Sequence, residues 1–78
     1  LIALDGKEDG LYFYRRISRE AKPFFYRGAS LYFEIGWDQG EAVSLILEQE
    51  GYREIQVVKD FAGLDRVVKC IFWEENHV

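Results

Sequence analysis

Apolar residues recur with helical spacing in the first third of the chain. One face collects the positions Leu11, Tyr14, Ile17 and Ala21, which predicts a helix whose inner side they form. Residues 5–10 before it make a polar loop with two glycines, and Asp9 is placed to cap the first turn. Pro23 has no backbone N–H and disfavours helical geometry at the residue before it, so we predict that the helix ends there.

A second helix is predicted after Gly36. Asp38, with Glu41 three residues later, has the spacing of a capping box, in which the two side chains satisfy free N–H groups at the start of a helix. The inner face is predicted to consist of Ala42, Leu45, Ile46 and Gln49. Gly51 stands where a left-handed C-terminal cap belongs, so the helix is expected to end just before it.

Three segments have the character of strands. Residues 30–36 are nearly all apolar, which is typical of a strand covered on both faces. Strands are also predicted at residues 55–59 and 66–73, and the connection over residues 60–65, which contains Gly63, is typical of a hairpin loop. The predicted order is therefore helix, strand, helix, strand, strand.

This order predicts an α/β fold. The unit over residues 30–59 is expected to be a right-handed parallel crossover, and the last strand is expected to turn back antiparallel near one end of the sheet. The layout is that of the final half of a doubly wound sheet. With 78 residues, the chain is one domain or part of one, and residues 1–78 are interpreted as a single partial domain.

The net charge of the chain argues against some classes of binding partner. The net charge is −4, from 10 Lys and Arg against 14 Asp and Glu, and no basic stripe is present, so direct binding to nucleic acid or to anionic lipid is not expected. Arginines do alternate with aromatic residues over residues 12–27, a pattern also found in proteins that bind single strands. In an acidic chain we favour arginines that face water on a packed helix.

Location follows from what the sequence lacks. No apolar run approaches about 18 residues, so no transmembrane helix is predicted. The first residues have neither the basic start nor the cleavage site of a signal peptide. A single cysteine, Cys70, is compatible with a reducing compartment. A cytoplasmic protein is expected.

Glu34 is the most unusual candidate for chemistry. It interrupts the apolar strand at residues 30–36, next to Gly36 at the carboxyl end, and ligands of open α/β sheets bind outside that end of the strands. A buried carboxylate is costly unless it is paired. Glu34 therefore either has a structural partner, such as an arginine or backbone N–H groups, or contributes to a binding site. Trp37 likewise either lines a cleft or covers the end of the sheet.

Other chemical sites have weaker support. The loop at residues 5–10 resembles a calcium-binding loop, but Lys7 takes a ligand position, so no metal site is predicted. Cys70 is expected to be a small buried hydrophobic residue, and His77, the only histidine, lies one residue from the end. A small enzyme built on Glu34 and Cys70 is the least favoured hypothesis, because no base, metal or cofactor site accompanies them.

Three blocks of sequence resemble one protein family. The first block is Ala3-Leu4-Asp5-Gly6, then Asp9-Gly10-Leu11 and Phe13-Tyr14-Arg15 before Ile17. The second is Glu34-Ile35-Gly36 with Gln39-Gly40, and the third is Lys59-Asp60, then Gly63 and Asp65-Arg66-Val67-Val68. In this order and at this spacing they resemble the C-terminal part of the HemK-type glutamine methyltransferases, which modify peptide chain release factors.

The resemblance implies a fold and a function. It implies the C-terminal half of a class I methyltransferase Rossmann-like sheet, in a parent enzyme that uses S-adenosylmethionine to methylate a glutamine of a release factor. The glycine-rich cofactor loop and the Asn-Pro-Pro-Tyr motif of the family would lie upstream of Leu1. We therefore expect no catalytic residue and no cofactor contact in this chain, and no activity of the chain alone. Glu34, Gly36 and Trp37 are expected to form a wall on the substrate side.

A second hypothesis is a self-contained small α/β module for interaction or dimerisation, without catalysis. Under the first hypothesis the strand at residues 30–36 lacks its upstream neighbour, and an uncovered apolar edge tends to pair with another chain. A homodimer of the chain is expected for that reason.

Overall fold

The computed structural model describes residues 10–73, and the predicted order of elements is confirmed. The elements are α1 (Tyr12–Glu20), a short 3-10 turn (Lys22–Phe24), β1 (Ser30–Glu34), α2 (Gly40–Gln49), β2 (Arg53–Lys59) and β3 (Asp65–Ile71). The helix ends before Pro23, which enters the 3-10 turn. Asp9, the predicted cap of α1, and the loop at residues 5–9 lie outside the described residues.

The last strand of the chain is the middle strand of the sheet. The order is β1-β3-β2, and both β1 and β2 pair antiparallel with β3. β1 and β2 therefore run parallel to each other, as a crossover requires, and the antiparallel last strand is confirmed. Leu31 lies opposite Cys70, and Val57 lies opposite Val68. In this register, the side chains that point towards the helices lie beside one another on neighbouring strands.

The core lies between one face of the sheet and the two helices. Its buried residues are Leu31, Ile35, Val43, Leu47, Tyr52, Val68, Cys70 and Phe72. Along β1 the side chains alternate between buried and exposed, and Tyr32 on the second face is 67% exposed. The prediction that this strand is covered on both faces is therefore wrong for the described residues, because both helices pack on the same side.

Helix α2 begins one residue later than a capping box at Asp38 requires. Its N-cap is Gln39, without a capping hydrogen bond from the side chain, so the capping-box prediction is wrong. The buried face consists of Gly40, Val43, Ile46 and Leu47. Ile46 was predicted correctly, whereas Leu45 is 52% exposed and Gln49 is exposed. The backbone of Gly40 approaches the sheet closely, and this contact sets the rotation of the helix.

Gly51 ends α2 as predicted. Its φ is +90°, a left-handed conformation that glycine adopts at little cost. The N–H of Gly51 donates to the carbonyl of Glu48, and the N–H of Tyr52 donates to the carbonyl of Leu47, both at 3.0 Å. This pair of bonds is a Schellman motif, and it turns the chain directly into β2.

Helix α1 packs through a slightly different face from the predicted one. Leu11 and Tyr14 pack on the core as expected, but Ile17 is largely exposed and Ser18 is fully buried. The hydroxyl of Tyr52 donates to the carbonyl of Ser18 at 2.7 Å. This buried hydrogen bond joins α1 to Tyr52, which lies between α2 and β2.

We expect Tyr52→Phe to lower the free energy of unfolding by about 1 to 2 kcal/mol, because the substitution leaves the buried carbonyl of Ser18 without this donor. Tyr26→Phe is the matched control, since Tyr26 is exposed, and its effect should stay within about 0.5 kcal/mol. Urea titration of both variants measures the difference. Equal stabilities of the two variants would contradict the role given to this bond.

The hairpin between β2 and β3 is built around Asp60. One carboxylate oxygen of Asp60 accepts from the N–H groups of Ala62 and Leu64, and the other accepts from Arg66. The hydrogen bond from the Arg66 guanidinium is the main reason why the pKa of Asp60 lies below its usual value. Gly63 has a φ of +86°, so the predicted hairpin loop with its glycine is confirmed.

Candidate functional site

The described residues of the three sequence blocks meet at one end of the strands. β1 and β2 both end at this edge, and β3 begins there. Glu34 is the last residue of β1, and Gly36 and Trp37 follow it in the turn that leads to α2. In open α/β sheets the carboxyl ends of the strands are where ligands bind.

The side chain of Gln39 joins the first block to the second. Its Oε1 accepts from the N–H of Gly36 at 2.8 Å, and its Nε2 donates to the carbonyl of Gly10 at 3.1 Å. A primary amide carries both a donor and an acceptor, so one side chain satisfies two backbone groups from distant parts of the sequence. Analysis of the sequence missed this role, although Gln39 stands in the second block.

Gly40 brings the second block against the third. A Cβ built on Gly40 would lie 2.5 Å from Oδ2 of Asp65 and 3.3 Å from Cγ1 of Val57. Asp65 is held in place by an ion pair with Lys59. The position therefore tolerates no side chain without movement of its neighbours, and the glycine lets α2 start in contact with the hairpin.

Tyr14 anchors α1 at the end of β1. Its hydroxyl donates to the backbone carbonyl of Glu34 at 2.6 Å, and its ring meets the edge of Phe33 with the centroids 6.2 Å apart. Burial raises the pKa of Tyr14, and the nearby charge of Glu34 raises it further. Tyr14 therefore stays protonated and keeps its role as donor.

The carboxylate of Glu34 is exposed, so the expectation of a buried acid that needs a partner is wrong. Alternation along β1 places this side chain on the second face of the sheet, away from the helices. Trp37 is 64% exposed, so its ring does not cover the sheet within the described residues. Glu34, Gly36 and Trp37 together form an accessible rim at the end of β1.

Cys70 belongs to the core, as predicted. Its side chain is 2% exposed, and burial raises the pKa of the thiol to about 11. Cys70 faces the helices, whereas Glu34 faces the opposite side of the sheet. The hypothesis of an enzyme built on these two residues is therefore wrong. His77 lies outside the described residues.

A thiol reagent should label Cys70 in the native chain more than about a hundredfold more slowly than in the unfolded chain. The folded thiol has the higher pKa, so its contribution to stability is complete below pH 9 and decreases as the pH rises towards about 11. Labelling rates with and without denaturant at about pH 8 measure the protection. Rapid native labelling would contradict the buried position.

Two of the three arginines of α1, and Lys22 after it, form ion pairs with carboxylates. Arg16 pairs with Glu20 at 3.0 Å and lies over the ring of Tyr12. Arg19 and Lys22 both pair with Glu50. These pairs neutralise much of the positive charge that alternates with the aromatic residues. None of the helices within residues 10–73 is long and apolar enough to cross a bilayer.

Curated proteins named release factor glutamine methyltransferase are similar to the chain in sequence. The one from Clostridium acetobutylicum is 49% identical over 71 residues, which are 91% of this chain and 25% of that protein. The one from Thermodesulfovibrio yellowstonii is 46% identical over 68 residues, 87% of this chain and 24% of that protein. The chain thus spans about a quarter of the length of the curated relatives that it matches.

A solved structure is similar to the chain in fold. It is the crystal structure of a protein-(glutamine-N5) methyltransferase (release factor-specific) from Alicyclobacillus acidocaldarius, with a TM-score of 0.67 and 33% identity. The similarity covers 85% of this chain and 42% of that chain. No protein-family model matches the sequence. The three strands and two helices are consistent with the C-terminal part of a class I methyltransferase sheet.

Proposed function

The chain is homologous to one segment of the release factor glutamine methyltransferases, and on that premise we propose that it forms part of a cytoplasmic enzyme that methylates a glutamine of a peptide chain release factor. The observation that carries the proposal is the convergence of the three blocks. Gln39 bonds to Gly10 and Gly36, and Gly40 contacts Asp65. Residues that are far apart in sequence and resemble the family thus belong to one structural site.

The proposed reaction demands positioning more than acid or base strength. The lone pair of an amide nitrogen is delocalised, so the nitrogen is a weak nucleophile, and the enzyme must hold it in line with the methyl group and bind its N–H groups. S-adenosylmethionine supplies the methyl group in this proposal. We propose that this chain helps to hold the substrate. Glu34, Gly36 and Trp37 form a wall beside the release factor, and none of them is a catalytic residue.

The turn between β1 and α2 is poorly suited to hold S-adenosylmethionine. A nucleotide-type cofactor needs backbone N–H groups that are free to bind it in a glycine-rich turn between strand and helix. Between β1 and α2 the N–H of Gly36 is already bonded to Gln39. We therefore propose that the cofactor contacts lie outside this chain and that the chain alone is inactive.

A chimeric enzyme tests the proposal. The homologous segment of the Clostridium acetobutylicum protein is replaced by this chain, and transfer of labelled methyl groups to a release factor is measured. We expect activity within about tenfold of the unmodified enzyme, since the two segments are 49% identical over 71 residues and cores tolerate substitutions that conserve volume. A folded chimera without activity, while a chimera with the Thermodesulfovibrio yellowstonii segment is active, would overturn the proposal.

Calorimetry tests the division of roles. The 78-residue chain should give no heat of binding with S-adenosylmethionine, and the active chimera, as the positive control, should bind it. Tight binding by the chain alone would contradict the assignment of the cofactor contacts to other parts of the enzyme.

The coding sequence ahead of the Leu1 codon separates the proposal from the alternative of a small interaction module. We expect an in-frame Asn-Pro-Pro-Tyr with a glycine-rich loop before it. A start codon immediately before Leu1 would favour the module.

A homodimer of the chain remains a prediction with a structural basis. Among the described residues β1 pairs only with β3, so its other edge is open to pair with a second copy. Sedimentation equilibrium should give twice the mass of 9.2 kDa at high concentration. Tyr32→Lys should weaken the dimer, because Tyr32 is exposed on this strand. A monomer for the unsubstituted chain would contradict the prediction.

A further inference from the structure

We infer that Gln39 is a positioning residue, which holds the turn that carries Trp37 against the segment that leads into α1. The inference rests on the proposed function and names the group that fixes the geometry of the substrate-side wall. Trp37 itself is largely exposed. Its orientation therefore depends on the backbone of the turn at residues 36–39.

The turn is closed twice by the same residue. The backbone N–H of Gln39 donates to the carbonyl of Gly36 at 3.0 Å, and the side-chain Oε1 of Gln39 accepts from the N–H of Gly36 at 2.8 Å. Both polar groups of Gly36 are thus bonded to one residue. Trp37 and Asp38 lie between these anchors, so the backbone that carries the indole has little freedom.

The second half of the amide reaches out of the turn. Its Nε2 donates to the carbonyl of Gly10, two residues before α1 begins. Gln39 therefore links the wall beside the substrate to the segment that leads into α1.

Glycines on both sides leave room for the amide. A Cβ on Gly36 would lie 3.3 Å from Oε1 of Gln39, and a Cβ on Gly10 would lie 3.2 Å from Nε2. Gly10 also has a φ of +72°, a conformation that other residues rarely adopt. Both glycines of the bridge thus permit the close approach of one side chain, which favours a specific role for that side chain over a chance surface contact.

The chemistry of the bridge allows a reversible test. Gln39→Glu keeps an acceptor for Gly36, but an ionised carboxylate cannot donate to the carbonyl of Gly10. A protonated carboxylic acid restores one donor and one acceptor, as in the amide. The carboxylate of Asp38 lies close to this turn, whereas the charge of Asp65 is offset by its ion pair with Lys59. The charge of Asp38 shifts the protonation of a glutamate at position 39 to higher pH.

The experiment measures the KM for the release factor in the chimeric enzyme at several pH values, relative to the unsubstituted chimera at each pH. We expect Gln39→Glu to raise this KM about tenfold at about pH 8, and we expect the KM to recover towards the reference value as the pH is lowered to about 5. Gln39→Met should raise it at every pH. Gln49→Glu, at an exposed position of α2, is the control for the added charge and should change nothing.

The readouts separate positioning from general structural damage. Positioning predicts an unchanged KM for S-adenosylmethionine, whereas partial unfolding would lower the amount of active enzyme without a pH-dependent recovery. A Gln39→Met variant with an unchanged KM for the release factor would overturn the inference. If the unsubstituted chimera is inactive, the proposed function fails, and the bridge is still tested in the 78-residue chain. There Gln39→Met must accelerate amide hydrogen exchange at Gly36, and unchanged exchange would overturn the bridge itself.

Discussion

Leu47→Ala is expected to lower the free energy of unfolding by about 3 kcal/mol. Leu47 is fully buried in the core, and its truncation leaves a cavity that a small core cannot close. Domains of this size have only about 5 kcal/mol of stability to lose, so the variant should be partly unfolded at modest urea concentrations. Urea titration followed by tryptophan fluorescence measures the change.

Leu45→Ala is the matched control, two residues away on the same helix. Leu45 is half exposed, so the same change should cost no more than about 0.5 kcal/mol. The comparison also tests the rotation of α2, because the sequence pattern placed Leu45 on the inner face. Equal losses in the two variants would show that the helix presents a different face to the sheet.

Gly40→Ala is expected to destabilise the chain by about 2 kcal/mol, although alanine is the better helix former. The added methyl group would stand 2.5 Å from Oδ2 of Asp65. Helix α2 and the hairpin would have to separate, or the ion pair of Asp65 with Lys59 would have to move. Thermal unfolding of the variant beside the unsubstituted chain measures the loss.

A double-mutant cycle identifies the cause of that loss. In a chain that carries Asp65→Ala the obstructing carboxylate is absent, and Gly40→Ala should then cost less than about 0.5 kcal/mol. Asp65→Ala alone should cost about 1 kcal/mol, since its partner Lys59 is exposed although Asp65 itself is only 22% exposed. If the two substitutions were additive, the close approach of Gly40 to Asp65 would not be the reason.

Local signals made the order of the elements predictable. Pro23, Gly51 and Gly63 each act through the backbone of their own turn, and the structure places each of them at the end of a helix or in a hairpin. Such residues restrict or permit dihedral angles whatever the surroundings. The helix boundaries and the hairpin therefore followed from a few positions.

Which side chains of each helix are buried was less predictable, because contacts with other elements decide it. Ile17 and Leu45 are apolar and fit a helical period, yet Ser18 and Leu47 take the buried positions beside them. The rotation of α2 depends on the contact of Gly40 with Asp65, which lies on another element. A period of apolar residues defines a face only to within about one residue on each side.

The position of Glu34, Gly36 and Trp37 at the carboxyl end of β1 was predictable, since the end of a strand can be recognised in the sequence. The contacts that build this region were not predictable. The bond of Gln39 to Gly10 spans 29 residues, and nothing local indicates it. The spacing of Asp38 and Glu41 predicted a capping box instead. The role of Gln39, one residue after Asp38, was not predicted.

The central place of β3 has a consequence for the order in which the sheet can form on the ribosome. Within residues 10–73, the only strand that pairs with both β1 and β2 is β3, which follows both of them in the sequence. A nascent chain that stops before Asp65 therefore cannot join β2 to β1. Because pairing between strands that are distant in sequence is slow, the joining of these two strands is a late event of their synthesis, completed by β3.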